Sequence, residues 1–415
     1  MKTLSRTMVV FLGLSATWAV AAPGEGSDTW ADAVFGGEAH LNLRLRAEIV
    51  DATSLEGAQA YTERLRAGYG SKPFNGFSFY FDFEDIRSAD DDLYNASGIH
   101  GDPAKAVIAD PEATELNQGF LKYQDPDQRV TLIGGRQRIT LDDHRFVGDV
   151  GWRQNEQTFD AATVIANLPG GMTGQYSYLW DINRVFGQGF VDGNPAISDF
   201  RSDSHLFNLS KDCEGLGTVT GFAYLLDFDN SPANSSDTYG VRYQGSFDFT
   251  GDYSVDPVLS YASQSDNNAN PASYDADYYL AQVSVVRKGT GSIGAGYEVL
   301  GGDNGTSFQT PLATGHAFNG WFDSFLVTPA AGLEDIYLFA TADLPGGTVG
   351  KIVGHWFANN VGGNRGVDLG KEIDVLLSKK VDDHVSVLAK YAYFNGENGF
   401  TDGTKFWLQT EIKSR

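Results

Sequence analysis

The sequence predicts an all-β protein, a transmembrane antiparallel β-barrel of about eighteen strands. Polar and apolar residues alternate with a period of two along most of the chain. Short and long connections alternate between these segments, as they do in bacterial outer-membrane barrels. After residue 21 no stretch approaches the ~18 consecutive apolar residues of a membrane-spanning helix. The membrane would therefore be crossed by strands.

The alternation is clearest where Phe77, Phe79, Phe81 and Phe83 are separated by polar or amphipathic residues. Segments of this kind are about ten residues long, which is the length that a tilted strand needs to cross a bilayer. The predicted strands are 36–50, 59–71, 74–86, 115–124, 128–141, 156–168, 171–184, 203–211, 217–228, 237–249, 253–265, 275–287, 291–301, 334–343, 348–359, 370–380, 384–395 and 403–413.

The connections alternate in length. Tight turns are predicted at 72–73, 125–127, 168–171, 288–290, 344–347 and 381–383, and longer polar connections at 87–114, 142–155, 185–202, 266–274, 302–333 and 360–369. Bacterial barrels have short periplasmic turns and long extracellular loops. The strands of a soluble β-sandwich also alternate polar and apolar residues, but that fold has no reason to sort its loops by length.

The arginines indicate which face of each strand points into the lumen. Arg44 and Arg46 share one side-chain phase, and so do Arg64 and Arg66 on the next strand. An arginine facing lipid at mid-bilayer costs about 2–4 kcal/mol, so four would cost roughly the whole net stability of a domain. We therefore expect them to face the lumen. The same argument places inside Glu48, Asp82, Glu84, Lys122, Arg242 and Lys390, and also Arg138 if Ile139 and Leu141 face outward.

The N-terminus has the pattern of a secretory signal peptide. Lys2 and Arg6 precede an apolar run, and Ala19-Val20-Ala21 is a small-x-small cleavage site. The predicted organisation is a signal peptide at 1–21, a periplasmic N-terminal segment at 22–35 and an outer-membrane barrel at 36–415. The expected location is the cell outer membrane, with its lipid as one partner.

Composition excludes several functional classes. Asp and Glu number 54 against 30 Lys and Arg, an acidic excess that argues against nucleic-acid binding. A single cysteine, Cys213, rules out an internal disulfide. No nucleophile-elbow or His-Glu-x-x-His motif occurs. The dinucleotide-like pattern at 289–294 lies in a predicted hairpin turn, so we expect neither an enzyme nor a cofactor.

Two further patterns have less specific meanings. The 87–114 connection carries Asp90, Asp91, Asp92, Asp102, Asp110 and Glu112 without the spacing of a calcium loop, which favours a solvated loop over a cation site. Aromatic clusters at 176–180, 356–357 and 406–407 are typical of the aromatic girdles at membrane interfaces.

Two stretches carry a resemblance to a known family. Residues 135–161, which begin Gly-Arg-Gln-Arg-Ile-Thr-Leu-Asp-Asp-His-Arg-Phe, resemble the alginate-export family of outer-membrane porins. Residues 311–323, followed by Thr328-Pro329 and Gly332-Leu333-Glu334-Asp335, are similar to a long loop of that family. The resemblance implies an eighteen-stranded barrel with an arginine-rich pore for an anionic polysaccharide.

The resemblance also implies solute-contacting residues in and next to the 142–155 connection: Arg136, Arg138, Asp142, Asp143, Arg145 and Arg153. This connection is short enough to fold inward as a constriction. Guanidinium groups suit the carboxylates of uronates because they form paired hydrogen bonds.

We therefore expect a channel for passive passage or export of polar, anionic solutes, with carbohydrate as the leading class. The lumen charges have a second interpretation, in which they only neutralise one another and stiffen the wall. The alternatives are a general porin with little selectivity, an outer-membrane hydrolase and a structural barrel with a plugged lumen.

Overall fold

The computed structural model describes residues 27–187, 198–267, 270–361 and 363–414, so the predicted signal peptide at 1–21 lies outside the described residues. The chain forms a closed antiparallel barrel of eighteen strands. Closure occurs between the first and last strands, where Asn42 pairs with Lys413 and Ala52 pairs with Gly403. The predicted fold class and strand number are confirmed.

The barrel strands are labelled β1 to β18 in chain order, and each overlaps a predicted strand. Their bounds are β1 Glu38–Ala52, β2 Ala58–Gly70, β3 Phe77–Ser88, β4 Ala113–Gln124, β5 Val130–Gln137, β6 Thr158–Leu168, β7 Met172–Asn183, β8 Asp199–Cys213, β9 Gly217–Leu226, β10 Ser236–Gln244 continued by Phe247–Thr250, β11 Tyr253–Asp266, β12 Asp275–Arg287, β13 Gly291–Leu300, β14 Leu333–Leu344, β15 Thr348–Val361, β16 Asn364–Lys380, β17 Val385–Gly396 and β18 Gly403–Lys413. One short helix, α1, spans Trp30–Phe35.

The two faces of the strands separate as their sequence alternation predicts. On β1 the side chains of Leu41 and Leu45 are exposed on the outer face, whereas Arg44 and Arg46 are buried inside. On β2 Arg64 and Arg66 are buried in the same way. Apolar side chains therefore cover the outside of the barrel, and charged side chains line the inner face of β1 and β2. No helix among the described residues has the length and apolarity needed to span a membrane.

Most connections alternate in length around the barrel, although β1 and β2, and β15 and β16, are joined by short connections at the end that carries the long ones. Short turns join β2 to β3, β4 to β5, β6 to β7 and the later even–odd pairs, and the N-terminal segment lies at this end. The longest connections, 89–112, 138–157 and 301–332, lie at the opposite end. This arrangement is the one expected from the sequence.

Three predictions of detail are wrong. β5 ends at Gln137, and Ile139 and Leu141 are buried in the interior core and do not face outward. The 360–369 connection is largely strand, because β15 runs to residue 361 and β16 begins at residue 364. Not all the clustered aromatics form a girdle: Trp180, Trp356 and Phe406 are exposed outside, but Phe357 and Trp407 point inward and are fully buried.

Candidate functional site: a constriction inside the barrel

Two long connections fold into the barrel and bond to each other. The 138–157 loop joins β5 to β6, and the 301–332 loop joins β13 to β14. The amide of Gly148 donates to the carbonyl of Leu312 at 2.9 Å, and the amide of Thr314 donates to the carbonyl of His144 at 3.0 Å. Phe146 packs on Tyr278 and Phe308 with ring centroids 5.1 and 5.9 Å apart. The two loops therefore form one constriction within the lumen.

Wall arginines hold the 138–157 loop by its carbonyl groups. Arg44 donates from Nη1 to the carbonyls of Gly151 and Arg153 at 3.1 and 3.0 Å. Arg64 donates to the carbonyl of Gln154 at 3.3 Å, and Arg46 donates to the carbonyl of Trp152. These arginines face inward as predicted, but they lie beneath the loop and are at most 4% exposed. Holding the loop is thus one of their roles.

Carboxylates balance the charge of the arginines. Arg46 pairs with Asp110 at 3.2 Å, so this residue of the acidic 89–112 connection is folded inward and is not solvated. Arg66 pairs with Glu84 at 2.6 Å and with Glu156 at 3.0 Å. Burial by itself raises the pKa of Glu156, but Arg138 and Arg66 outweigh burial and hold that pKa at about 2.

Asp82, another predicted carboxylate of this wall, is also buried. Its Oδ2 accepts a hydrogen bond from the Asn117 amide at 3.3 Å, and the same amide donates to Glu156 at 2.7 Å. Asp82 and Glu84 thus belong to the network that surrounds Arg66, as the strand phase predicts.

Acidic residues hold the 301–332 loop by its amide groups. Glu372 accepts from the amide of Phe322 at 2.6 Å, and Asp374 accepts from the amide of Trp321 at 3.2 Å. Both carboxylates lie on β16 and are buried. The barrel wall therefore presents cations to the carbonyls of one loop and anions to the amides of the other.

The ammonium group of Lys390 lies among three tryptophans at the junction of the two loops. Its Nζ lies 3.8, 4.1 and 5.2 Å from the ring centroids of Trp321, Trp152 and Trp407, within the range of cation–π attraction. Nζ also lies 2.7 Å from His316 Nε2. Lys390 faces the lumen as predicted, and it connects the wall to both loops.

His316 continues this connection to a carboxylate. Its Nδ1 lies 2.7 Å from Asp323 Oδ1, while Asp323 Oδ2 accepts from Lys405 at 2.9 Å and from Arg153 at 3.2 Å. Burial lowers the pKa of His316 to about 3 despite the attraction of Asp323. The neutral ring therefore donates from Nδ1 to Asp323 and accepts from Lys390 at Nε2.

Apart from Arg136, the other residues implied by the resemblance also lie at the constriction. Arg145 donates to Glu298 at 2.7 Å and to Asn319 at 2.9 Å, and Arg138 lies 3.4 Å from Glu156. Asp143 pairs with Arg242 at 2.9 Å. Asp142 accepts a hydrogen bond from Asn208 at 3.0 Å, and burial raises the pKa of this carboxyl above its ordinary value.

Arg136 is the exception. It shares the phase of Leu132, whose side chain is exposed on the outer face of β5. Its guanidinium group forms two hydrogen bonds with Asp160, at 2.8 and 3.0 Å. Asp160 shares the outward phase of Val164 on β6. The prediction that Arg136 lines the pore is therefore wrong, because its side chain follows the outward phase of β5.

The sequence reasoning missed several residues of the constriction. His316, Trp321 and Asp323 lie in the stretch that carries the family resemblance, but strand periodicity says nothing about a loop that folds inward. Glu411 and Lys405 follow the inward phase of β18 and could have been found by that rule. Among the described residues, no group of His, Cys, Asp and Glu is arranged to hold a metal ion.

Three guanidinium nitrogens of the wall have no protein acceptor among the described residues. They are Arg44 Nε, Arg64 Nε and one terminal nitrogen of Arg66, and all three are buried. A buried donor without a partner carries a desolvation cost that an acceptor oxygen would remove. All three nitrogens are shielded from solvent, so a solute in the lumen could contact them only after the 138–157 loop moved.

Several solved structures from Pseudomonas aeruginosa have the same fold. The chain superimposes on Pseudomonas aeruginosa OccK9 (OpdG) with a TM-score of 0.70 at 14% identity, covering 92% of this chain and 99% of that one. OpdL from the same organism gives 0.66 at 16% identity, with the same coverage. The structure of OpdK with vanillate gives 0.66 at 14% identity, covering 91% of this chain and 98% of that one. No curated protein matches the sequence.

The family described as alginate export matches residues 27–265, which is more than half of the chain. This range contains β1 to β10, most of β11 and the whole 138–157 loop. The chain therefore belongs to the alginate-export family, and it is an outer-membrane β-barrel of the porin type.

Proposed function

We propose that this barrel is a narrow channel for passive diffusion of small polar solutes and that it favours anions, with small carboxylates and uronate-type sugars as the leading class. The observation that carries the proposal is the row of arginines on β1 and β2, whose side chains all face the interior of the barrel: Arg44, Arg46, Arg64 and Arg66. Carboxylate oxygens are the acceptors that guanidinium groups bind best.

Two further observations support a small solute over a long polymer. The 138–157 and 301–332 loops occupy the lumen together and bond to each other, which leaves less room than an open barrel would. The OpdK structure contains vanillate, a small carboxylate, within the same fold.

The test is ion selectivity in planar bilayers. The reversal potential under a KCl gradient near 0.1 M should indicate anion preference, because at this ionic strength the Debye length is about 10 Å and wall charges are not screened. Small carboxylates and uronate oligomers should reduce the current of the open channel, whereas neutral sugars of the same size should not. A reversal potential near zero, with no carboxylate effect, would overturn the anion preference.

A matched pair of variants assigns the preference to the wall. Arg44→Gln removes a lumen cation, and we expect lower anion selectivity and weaker block by carboxylates. Arg87→Gln removes a cation from the outer face, where the Arg87 side chain is 47% exposed, and should leave both unchanged. Equal effects of the two substitutions would contradict a role for the arginine row.

A general porin is the second candidate, and the ion pairs of the lumen favour it. Arg46, Arg66 and Arg153 each pair with at least one buried carboxylate, so little net charge is left along the pore. In that case permeation would depend on solute size alone. Equal permeability to gluconate-sized anions and to cations of the same size would support this candidate.

We also propose that the protein performs no covalent chemistry, so serine-directed probes should leave the purified barrel unlabelled.

We further propose that residues 1–21 are removed on export. N-terminal sequencing of protein isolated from outer membranes should begin at Ala22, followed by the segment 22–35 and the barrel at 36–415. A mature chain that starts at Met1 would contradict the proposed signal peptide.

A further inference from the structure

The helix α1, at the short-turn end of the barrel, has an exposed apolar face. Its N-cap is Thr29, whose hydroxyl accepts from the Asp32 amide. At 3.6 residues per turn, Trp30, Ala31, Val34 and Phe35 fall on one side of the helix, and Asp32 falls on the other. Trp30 is 63% exposed and Phe35 is 81% exposed. Such exposure of two large aromatic side chains is costly in water.

This helix is fixed to the lipid-facing surface of the barrel. The Tyr69 hydroxyl donates to the carbonyl of Val34 at 2.5 Å and accepts from the amide of Gly37 at 2.8 Å. Tyr69 follows the outward phase of β2. Its ring centroid lies 6.3 and 6.2 Å from those of Phe79 and Phe81, which have the outward phase of β3. The apolar face of α1 thus continues the outer aromatic surface.

The neighbouring turn supplies a cation next to the helix. The Lys72 amide donates to the carbonyl of Ala33 at 3.0 Å, and the Ser27 amide donates to the carbonyl of Pro73 at 2.9 Å. Lys72 itself is exposed. An exposed ammonium group beside an amphipathic helix is suited to the phosphate groups of a lipid surface.

We propose that α1 is an interfacial anchor whose apolar face inserts among the phospholipids of the periplasmic leaflet, with Lys72 at the level of their phosphates. Tryptophan and other aromatic residues are enriched at this depth because one part of the ring is apolar while its edge is polar. The occupant is lipid, since the face is continuous with barrel side chains that already face the bilayer. Insertion would fix the depth of the barrel at its N-terminal edge.

The test uses two single-cysteine variants of the whole protein in a Cys213→Ser background. Ala31→Cys places a fluorescent nitrobenzoxadiazole label on the apolar face, and Asp32→Cys places it about 100° further round the helix, outside that face. The protein is reconstituted in phosphatidylethanolamine–phosphatidylglycerol vesicles with or without brominated acyl chains. We expect bromolipid to quench the label at position 31 at least twofold more than at position 32. Aqueous iodide should show the reverse order.

Removal of the aromatic rings provides the second arm. Trp30→Ser together with Phe35→Ser should abolish the bromolipid quenching at position 31, while the barrel keeps its heat-modifiable migration on gels. Equal iodide access at both positions in the parent protein would overturn the proposal. Shielding of position 31 from iodide without bromolipid quenching would also overturn it, because the occupant would then be a second protein chain.

Discussion

Arg44 and Arg64 lie directly opposite each other on β1 and β2, and both guanidinium groups lie 3.7 Å from the same carboxylate oxygen of Glu411 on β18. Like charges in directly opposed strand positions repel. The shared carboxylate therefore makes this arrangement possible, and it does so across the seam where the barrel closes. Asn42 supports the site by donating to Glu411 at 2.7 Å.

The first prediction follows from this pair. Glu411→Gln leaves two buried cations without their common counter-charge, and removing one partner of a buried ion pair costs about 3–5 kcal/mol. We expect a loss of unfolding free energy of this order, measured by urea unfolding in detergent. Arg44→Gln added to Glu411→Gln should restore part of the loss. Glu63→Gln, on the outer face of β2, serves as the control with little effect.

The second prediction concerns the double variant Arg64→Ser and Arg66→Ser. If these side chains faced open water, the barrel would keep its heat stability. They lie beneath the 138–157 loop, however, where Arg64 bonds to the Gln154 carbonyl and Arg66 bonds to Glu156. We therefore expect a lower melting temperature and new protease cleavage within 138–157. Unchanged stability together with an intact loop would contradict the buried arrangement.

The strands could be predicted from the sequence because alternation with a period of two is local information. The lumen positions of Arg44, Arg64 and Lys390 follow from the same rule and the cost of charge in lipid. The inward fold of the loops could not be found in this way, since it depends on bonds between residues more than a hundred positions apart, such as Arg145 with Glu298. The family resemblance implies a pore position for Arg136, but a resemblance does not give the phase of a strand, and on β5 this residue shares the outward phase of Leu132.

The third prediction tests how closely the 301–332 loop fits the wall. Gly320 has a φ of +86°, and a Cβ placed there would lie 2.3 Å from Glu372 Oε2. Gly320→Ala should therefore shift the loop, and increased conductance in planar bilayers would report the shift. Gly347→Ala is a matched control, because Gly347 has a φ of +73° and no atom within 4 Å of the added Cβ. Equal conductance changes in both variants would indicate backbone strain alone.

The fourth prediction is the orientation of the barrel in the membrane. An epitope inserted at residue 98, in the 89–112 connection, should be labelled on intact cells because long loops of such barrels are extracellular. An epitope inserted between Gly170 and Gly171, in the β6–β7 turn, should be labelled only after the outer membrane is permeabilised. The opposite result would reverse the orientation without affecting the fold.

The last prediction is acid-dependent opening of the constriction through His316. Its pKa of about 3 lies below the ordinary value of 6.5. His316 therefore binds a proton between these pH values when the 301–332 loop is released from the wall, but not when the loop is in place. The stabilisation of the closed loop by neutral His316 is complete above about pH 6.5 and declines as the pH falls toward 3. Glu156, with a pKa held at about 2, contributes in the same direction only below about pH 4.5.

The interval from pH 6.5 to 4.5 therefore separates the titration of His316 from that of Glu156. We expect the open probability of single channels to rise as the pH is lowered through this interval, by at most about tenfold per pH unit for one proton. His316→Gln should remove this dependence, since glutamine does not titrate. His384→Gln, in the β16–β17 turn, should retain it. An acid response that persists in the His316 variant would mean that carboxylates, and not the contact between His316 and Lys390, control the opening.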